Sequence, residues 1–179
     1  MARDLERAYI PSHPKLFYVN FKPGEFNSGL VARKGFATNE LITRIEGTTR
    51  GPKAYSSVQC GPGEDDHIEL NSDLLYANHS CDPNIAFDLS SRDPSGWHVR
   101  ALKPIATGEE LSFFYPSTEW EMSQPFVCQC GALSCLREIR GAIALGEDEL
   151  RSRGYVNSWI LEAVVQRDAQ AARNSRNVA

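Results

Sequence analysis

No stretch of this sequence approaches the ~20 consecutive apolar residues that a membrane-spanning helix needs, so no transmembrane segment is expected. Basic charge is not in excess either. Lys and Arg total 19 against 23 Asp and Glu, for a net charge of −4 at pH 7. Without a basic face, direct nucleic-acid binding is not expected. The opening "MARDLERAYIPSHPKLFY" lacks the apolar core of a secretory signal and carries acidic residues, so the expected location is intracellular, in nucleus or cytoplasm. Internal repeats and low-complexity tracts are also missing. Cysteine is present, but in an odd number, five. For an intracellular protein that disfavours a disulfide framework and turns attention to metal or catalytic use.

What is present suits one well-packed domain of 179 residues with room for a C-terminal appendage. Short apolar or alternating runs, "KLFYVNF" (15–21), "GLVARK" (29–34) and "LITRIEG" (41–47), are separated by Gly, Pro and Asn and predict strands. Residues 50–71 are turn-rich and read as irregular, with "HIEL" a candidate strand. Three further strands are predicted at "NIAFDLS" (84–90), "GWHVRAL" (96–102) and "ELSFFY" (110–115). Spacing near ten residues with no long helix predicts a mainly β domain. A Pro- and Cys-punctuated loop follows over 116–135. From about residue 147 the pattern turns helical: Val156, Trp159, Ile160, Ala163 and Val164 recur at helical spacing and define a docking face. The end, "AARNSRNVA", is expected to fray.

Two cysteine-bearing stretches carry the chemistry. "CQCGALSC" places Cys128, Cys130 and Cys135 within eight residues, with Gly131 allowing a sharp bend between them. A structural zinc site wants four soft ligands in a tetrahedron, so three clustered thiolates call for a fourth, from Cys60 or Cys81. Buried packing of the three thiols is the plainer alternative. Cys81 lies in "NHSCDPN" (78–84), between a histidine and a Pro turn.

Together these stretches make the chain resemble the SET-domain family of lysine methyltransferases with a post-SET zinc element. "NHSCDPN" matches that family's Asn-His-Ser-Cys-x-Pro-Asn core. "GEELSFFY" (108–115) is similar to its Gly-Glu-Glu-Leu-x-Phe-x-Tyr strand, "SGLVARKGFATNELI" (28–42) to its glycine-containing opening motif, and "CQCGALSC" to its post-SET cysteines. The segments run in the family's order over residues 15–141. The resemblance implies a mainly β SET fold of short sheets with knot-like C-terminal threading. It places the SET domain at 15–116, a post-SET zinc-binding region at 117–141, and a C-terminal helix and tail at 142–179.

The resemblance further implies a zinc site of Cys81, Cys128, Cys130 and Cys135, leaving Cys60 an ordinary residue. It implies S-adenosylmethionine as cofactor, met by the backbone of Ser28, Gly29 and Leu30, by Asn78 and by His79. Tyr115 is the implied catalytic residue, and a protein carrying a target lysine the implied partner. Methyl transfer from a sulfonium to an amine is mainly a positioning task. No strong base is apparent in the sequence. Three positions depart from the family pattern: Asn27 stands where a first glycine is usual, Ile45 where an aromatic is common, and Phe114 where Asp is common before the tyrosine. Asn27 is expected to take the left-handed conformation that the glycine would have adopted. These departures and the short segment 50–73 leave two alternatives open: a SET-fold module that binds cofactor or a partner without turnover, and a scaffold acting on a small molecule.

Overall fold

A computed structural model describes residues 9–176, and the predicted runs become short strands in it. The strands are β1 (Phe17–Asn20), β2 (Gly29–Ala32), β3 (Leu41–Arg44), β4 (Thr49–Gly51), β5 (Ser57–Gln59) and β6 (His67–Glu69), then β7 (Asn78–His79), β8 (Ile85–Asp88), β9 (His98–Ala101), β10 (Glu110–Phe113), β11 (Phe126–Val127) and β12 (Glu138–Ile139). Alternation decides which side faces in. In β1, Phe17 and Val19 are buried while Tyr18 and Asn20 face out.

The strands form small sheets in the orders β1-β2-β10-β7, β3-β9-β8, β4-β6-β5 and β11-β12. Every pairing is antiparallel except β7 with β10, which aligns Asn78 with Ser112 and His79 with Phe113. The late strand β10 is therefore inserted between two early ones, and two of its residues bridge β2 at Val31 and Leu30. A two-residue strand is a weak partner on its own, and side chains reinforce it. Asn84, the last residue of "NHSCDPN", is buried and grips the β10 backbone from both sides. Its Oδ1 accepts from Ser112 N–H at 2.9 Å and its Nδ2 donates to Glu110 O at 2.9 Å. The Phe87 and Phe113 rings stack at 4.2 Å and join the sheets into one core.

Several expectations need correcting. Residues 50–71 are not irregular: β4, β5 and β6 make a regular three-stranded sheet there, of which the sequence marks only the "HIE" strand. The turn residues seen in sequence are its connections, closed by Asp66 accepting from Gly63 N–H and Arg50 at 2.9 Å each. The helical pattern is broken in two, α1 (Glu147–Arg151) and α2 (Ser158–Arg176), with Gly154 at φ +90° in the break. Helix α2 runs to Arg176 rather than fraying from residue 171, while 177–179 lie outside the described residues. No described helix is long and apolar enough to cross a membrane.

Helix α2 docks through Trp159, Ile160 and Val164, all buried. Trp159→Ala should destabilise by about 3 kcal/mol, the low end for a buried large-to-small change. The indole N–H is buried without a partner, so its removal offsets part of the loss. Denaturant titration checks this, and a shift near zero would show that α2 does not hold to the core through this ring.

Candidate active site

Strands β2, β7 and β10 bring three of the recognised stretches to one place. Asn78 Nδ2 donates to Ser28 O at 2.9 Å and to Glu110 Oε1 at 3.3 Å. Ser28 and Asn78 are thus in contact across 50 residues of chain. A Cβ at Gly29 would stand 2.6 Å from Glu110 Oε1, so the bare backbone lets the carboxylate close against it. Leu30 is placed differently from its neighbours: it lies between Val19 and Leu111 in the sheet with its side chain wholly buried. The positive-φ residues of the preceding loop are Gly24, at φ 99°, and Phe26, at φ 59°, and not Asn27. Asn27 instead closes that loop by donating its amide to Pro23 O at 2.8 Å.

His79 is the hinge between this cluster and the cysteines. Its Nδ1 accepts the Tyr115 backbone N–H at 3.2 Å, which leaves the proton on Nε2, 3.4 Å from Cys81 Sγ. Burial, helped by the Arg153 guanidinium, holds the ring down at about 4, so it is neutral at physiological pH.

Tyr115 follows the end of β10. Its hydroxyl donates to Ala77 O at 3.3 Å, the residue leading into Asn78. Burial, and then the Glu119 carboxylate, push its pKa well above the ordinary phenol value, so it is a neutral hydroxyl and not a phenolate. Tyr115 lines a pocket that mixes apolar side chains such as Val58, Leu74 and Phe113 with polar ones, among them Ser57 and Ser123. Phe114 is absent from that lining. It is buried with the His79 ring 5.6 Å away on one side and the Arg153 guanidinium 5.5 Å from its own ring. The departure at this position therefore changes packing behind the site and not the pocket wall.

The pocket also holds a group that sequence reasoning missed. Glu119 is buried on its lining, and burial raises its carboxyl to about 7. A loop glutamate in "STEWE" carries no local signal of burial, so only the fold reveals it. Arg153 is a second missed residue. It donates to Cys81 O and Ser134 O at 2.8 Å each and pairs with Glu149, tying α1 to both cysteine-bearing segments.

The thiols of Cys81, Cys128, Cys130 and Cys135 all lie within 4.8 Å of one another. A zinc tetrahedron with ~2.3 Å bonds needs sulfurs ~3.8 Å apart. Cys81 and Cys128 are 4.0 Å apart. Backbone N–H groups already point at sulfur, from Leu136 to Cys81 and from Cys130 to Cys128, each at 3.4 Å. Burial raises the Cys81 and Cys128 thiols, whereas at Cys130 burial is outweighed by the N–H groups of Cys81 and Ala132 together with hydrogen bonds from the Cys128 and Cys135 thiols, which bring it to about 6. Gly131, at φ 73°, makes the bend between ligands. Cys60 lies outside the cluster and donates to Asp66 O at 3.3 Å. Of the two candidates for a fourth ligand, the geometry brings only Cys81 to the other three.

Comparison with known proteins points the same way as the geometry. Residues 27–116 match the SET domain. The protein named Methyltransferase flvH from Aspergillus flavus is 37% identical over 166 residues, which span 92% of this chain and 90% of that protein. Histone-lysine N-methyltransferase Suv4-20 from Caenorhabditis briggsae is 27% identical over 127 residues, covering 68% of this chain but 34% of that longer protein.

Proposed function

This chain belongs to the SET-domain family, and from that premise we propose that it is an S-adenosylmethionine-dependent methyltransferase whose acceptor is a lysine side chain of a protein. The observation that carries the proposal is the position of Tyr115. One strand end joins its backbone to His79 and its hydroxyl to Ala77, beside the Ser28 and Asn78 cluster, while the residue also lines the pocket. The relative from Caenorhabditis briggsae, named as a histone-lysine methyltransferase, supports a protein acceptor.

The residues fit the cofactor. Ser28 O and the Glu110 carboxylate meet beside the bare Gly29 backbone, where the Asn78 amide N–H bridges them and Lys22 lies 3.7 Å from the carboxylate, a polar cluster suited to the polar end of the cofactor. In this role Ser28, Gly29, Asn78 and His79 hold the cofactor, with Leu30 as the buried floor of the strand. When bound, S-adenosylmethionine supplies a methyl group on a positively charged sulfur. The chain's own part is to orient and to exclude water. The Tyr115 hydroxyl is anchored at Ala77 O, beside a pocket that combines apolar walls with the Glu119 carboxyl.

The four thiols fit zinc by ligand type and spacing. In this role Cys81 ties the cysteine loop to the segment that carries Asn78 and His79. One zinc per chain is expected on elemental analysis of protein purified without chelator, and none would sink the assignment. Cys128→Ser should remove hydrogen-exchange protection from 126–139, the β11-β12 pair included, while the other sheets stay folded, because that loop has only a small core of its own.

The acceptor is tested by incubating the protein with labelled cofactor and whole-cell lysate. Label in protein, at lysine, supports the proposal. Label confined to small molecules would replace the acceptor, and cofactor binding without any labelled product would favour the module that does not turn over.

A further inference from the structure

Among the described residues, Glu119 is the single carboxyl on the lining of the pocket that holds Tyr115. Only 7% of the residue is exposed. One of its oxygens is occupied: Oε1 accepts from Gln59 N–H at 2.8 Å and from the Thr118 hydroxyl at 3.4 Å. Oε2 has no hydrogen-bond partner among the described residues, and it is not among the unpartnered polar atoms sealed from solvent. The free oxygen is therefore reached by solvent, on a residue that lines the pocket. Lys53, the cation that acts on Glu119, is itself paired with Glu121 at 3.2 Å. A buried carboxylate without its own counter-ion is costly, and an ammonium entering the pocket removes that cost.

We propose that Glu119 receives the substrate amine as its ammonium through the free Oε2 and takes one proton from it, leaving a neutral amine beside Tyr115. This rests on the methyltransferase function proposed above and specifies the substrate form that enters, a protonated primary amine. In the step, an N–H bond breaks, an Oε2–H bond forms, and nitrogen keeps the electron pair that accepts the methyl group. Glu119 returns the proton to solvent once product leaves.

The surroundings suit this exchange. Burial raises the carboxyl to about 7 against the lowering effects of Gln59 N–H, Thr118 and Lys53. The other titratable groups facing it are Tyr115 and Cys60, both raised by burial first and so neutral, with Tyr55 completing the lining. A lysine amine titrates near ~10.4. Between the two values an ionised Glu119 and a protonated amine coexist.

Two measurements test the proposal. The first is calorimetric binding of n-butylammonium, a lysine side-chain mimic, to the protein loaded with S-adenosylhomocysteine. At about pH 6 the wild-type protein should release about one proton to buffer on binding, read from runs in buffers of different ionisation heat. Glu119→Gln keeps an oxygen for Gln59 and Thr118, and should lose that release and weaken binding about tenfold or more. The second is the pH profile of kcat/KM on a lysine peptide. Wild type should rise through about 7 and fall near ~10.4, whereas Glu119→Gln, limited to amine that is already neutral, should be about 100-fold slower at about pH 8 and approach wild type near about pH 10. No proton release by the wild type, or a Glu119→Gln variant with unchanged binding and profile, would overturn the role. Absence of turnover would refute the methyltransferase function instead, and the wild-type proton release would still decide Glu119, whether or not the variant folds.

Discussion

Tyr115→Phe should lower kcat by about 10²- to 10³-fold while cofactor affinity stays within a few-fold, the range seen when one positioned hydrogen-bond donor is removed from a reacting centre. The ring is held in place by neighbours that the substitution leaves alone, with Phe113 4.7 Å and His79 5.2 Å away between centroids. Only the hydroxyl and its bond to Ala77 O are lost. An interaction made mainly in the transition state reduces turnover rather than binding. Single-turnover rates with labelled cofactor, set beside calorimetric affinities, separate the two. An active parent whose variant kept full rate would refute the role. Tyr76 is a poor substitute, since its ring packs edge-on against Phe21 and Tyr9 at 5.6 and 6.0 Å and is not on the pocket lining.

The largest loss of stability from one side chain should come at Asn157. It is fully buried, and every polar atom of its amide is used. Nδ2 donates to Phe87 O and Ser117 O at 2.9 Å each, and Oδ1 accepts from Leu89 N–H at 2.8 Å. The residue joins the start of α2 to the end of β8 and to the turn that follows Tyr115. Asn157→Ala would leave Leu89 N–H and Phe87 O without this partner, while Ser117 O would keep the Asn157 backbone N–H at 3.1 Å. With each stranded buried group costing about 1–3 kcal/mol, the expected loss is about 3–5 kcal/mol. Urea unfolding at constant slope measures it. A loss below about 1 kcal/mol would show that the contacts of Trp159, Ile160 and Val164 hold α2 without the amide bracket.

Asn157 also shows where sequence reasoning stops. It stands just before the helix, where its carbonyl accepts from Ile160 N–H at 3.1 Å. Its side chain goes elsewhere, to partners 40 to 70 residues away. Glu119 is similar. Its neighbours in sequence suggest a solvated loop, and its burial depends on Gln59, which is 60 residues distant and supplies the N–H that holds it. Residues 50–71 failed for a related reason. Three-residue strands are too short for alternation to register, and it is the pairing of β6 with two neighbours that makes them strands.

The sequence by itself determined the class of the protein. Alternating runs set most strands of the first 116 residues, and three motifs in a fixed order carried the SET resemblance that the match over 27–116 bears out, while "CQCGALSC" lies beyond that match. Such features are local: each depends on residue types within a few positions, and a strand or a motif keeps its meaning wherever the chain places it. The tertiary structure decided what had to meet. It chose Cys81 over Cys60 beside the three clustered cysteines, turned Phe114 away from the pocket, and put Glu119 into it. Those outcomes depend on β10 entering between β2 and β7 and on the close packing that follows. No short-range pattern encodes which distant residues such an insertion brings into contact.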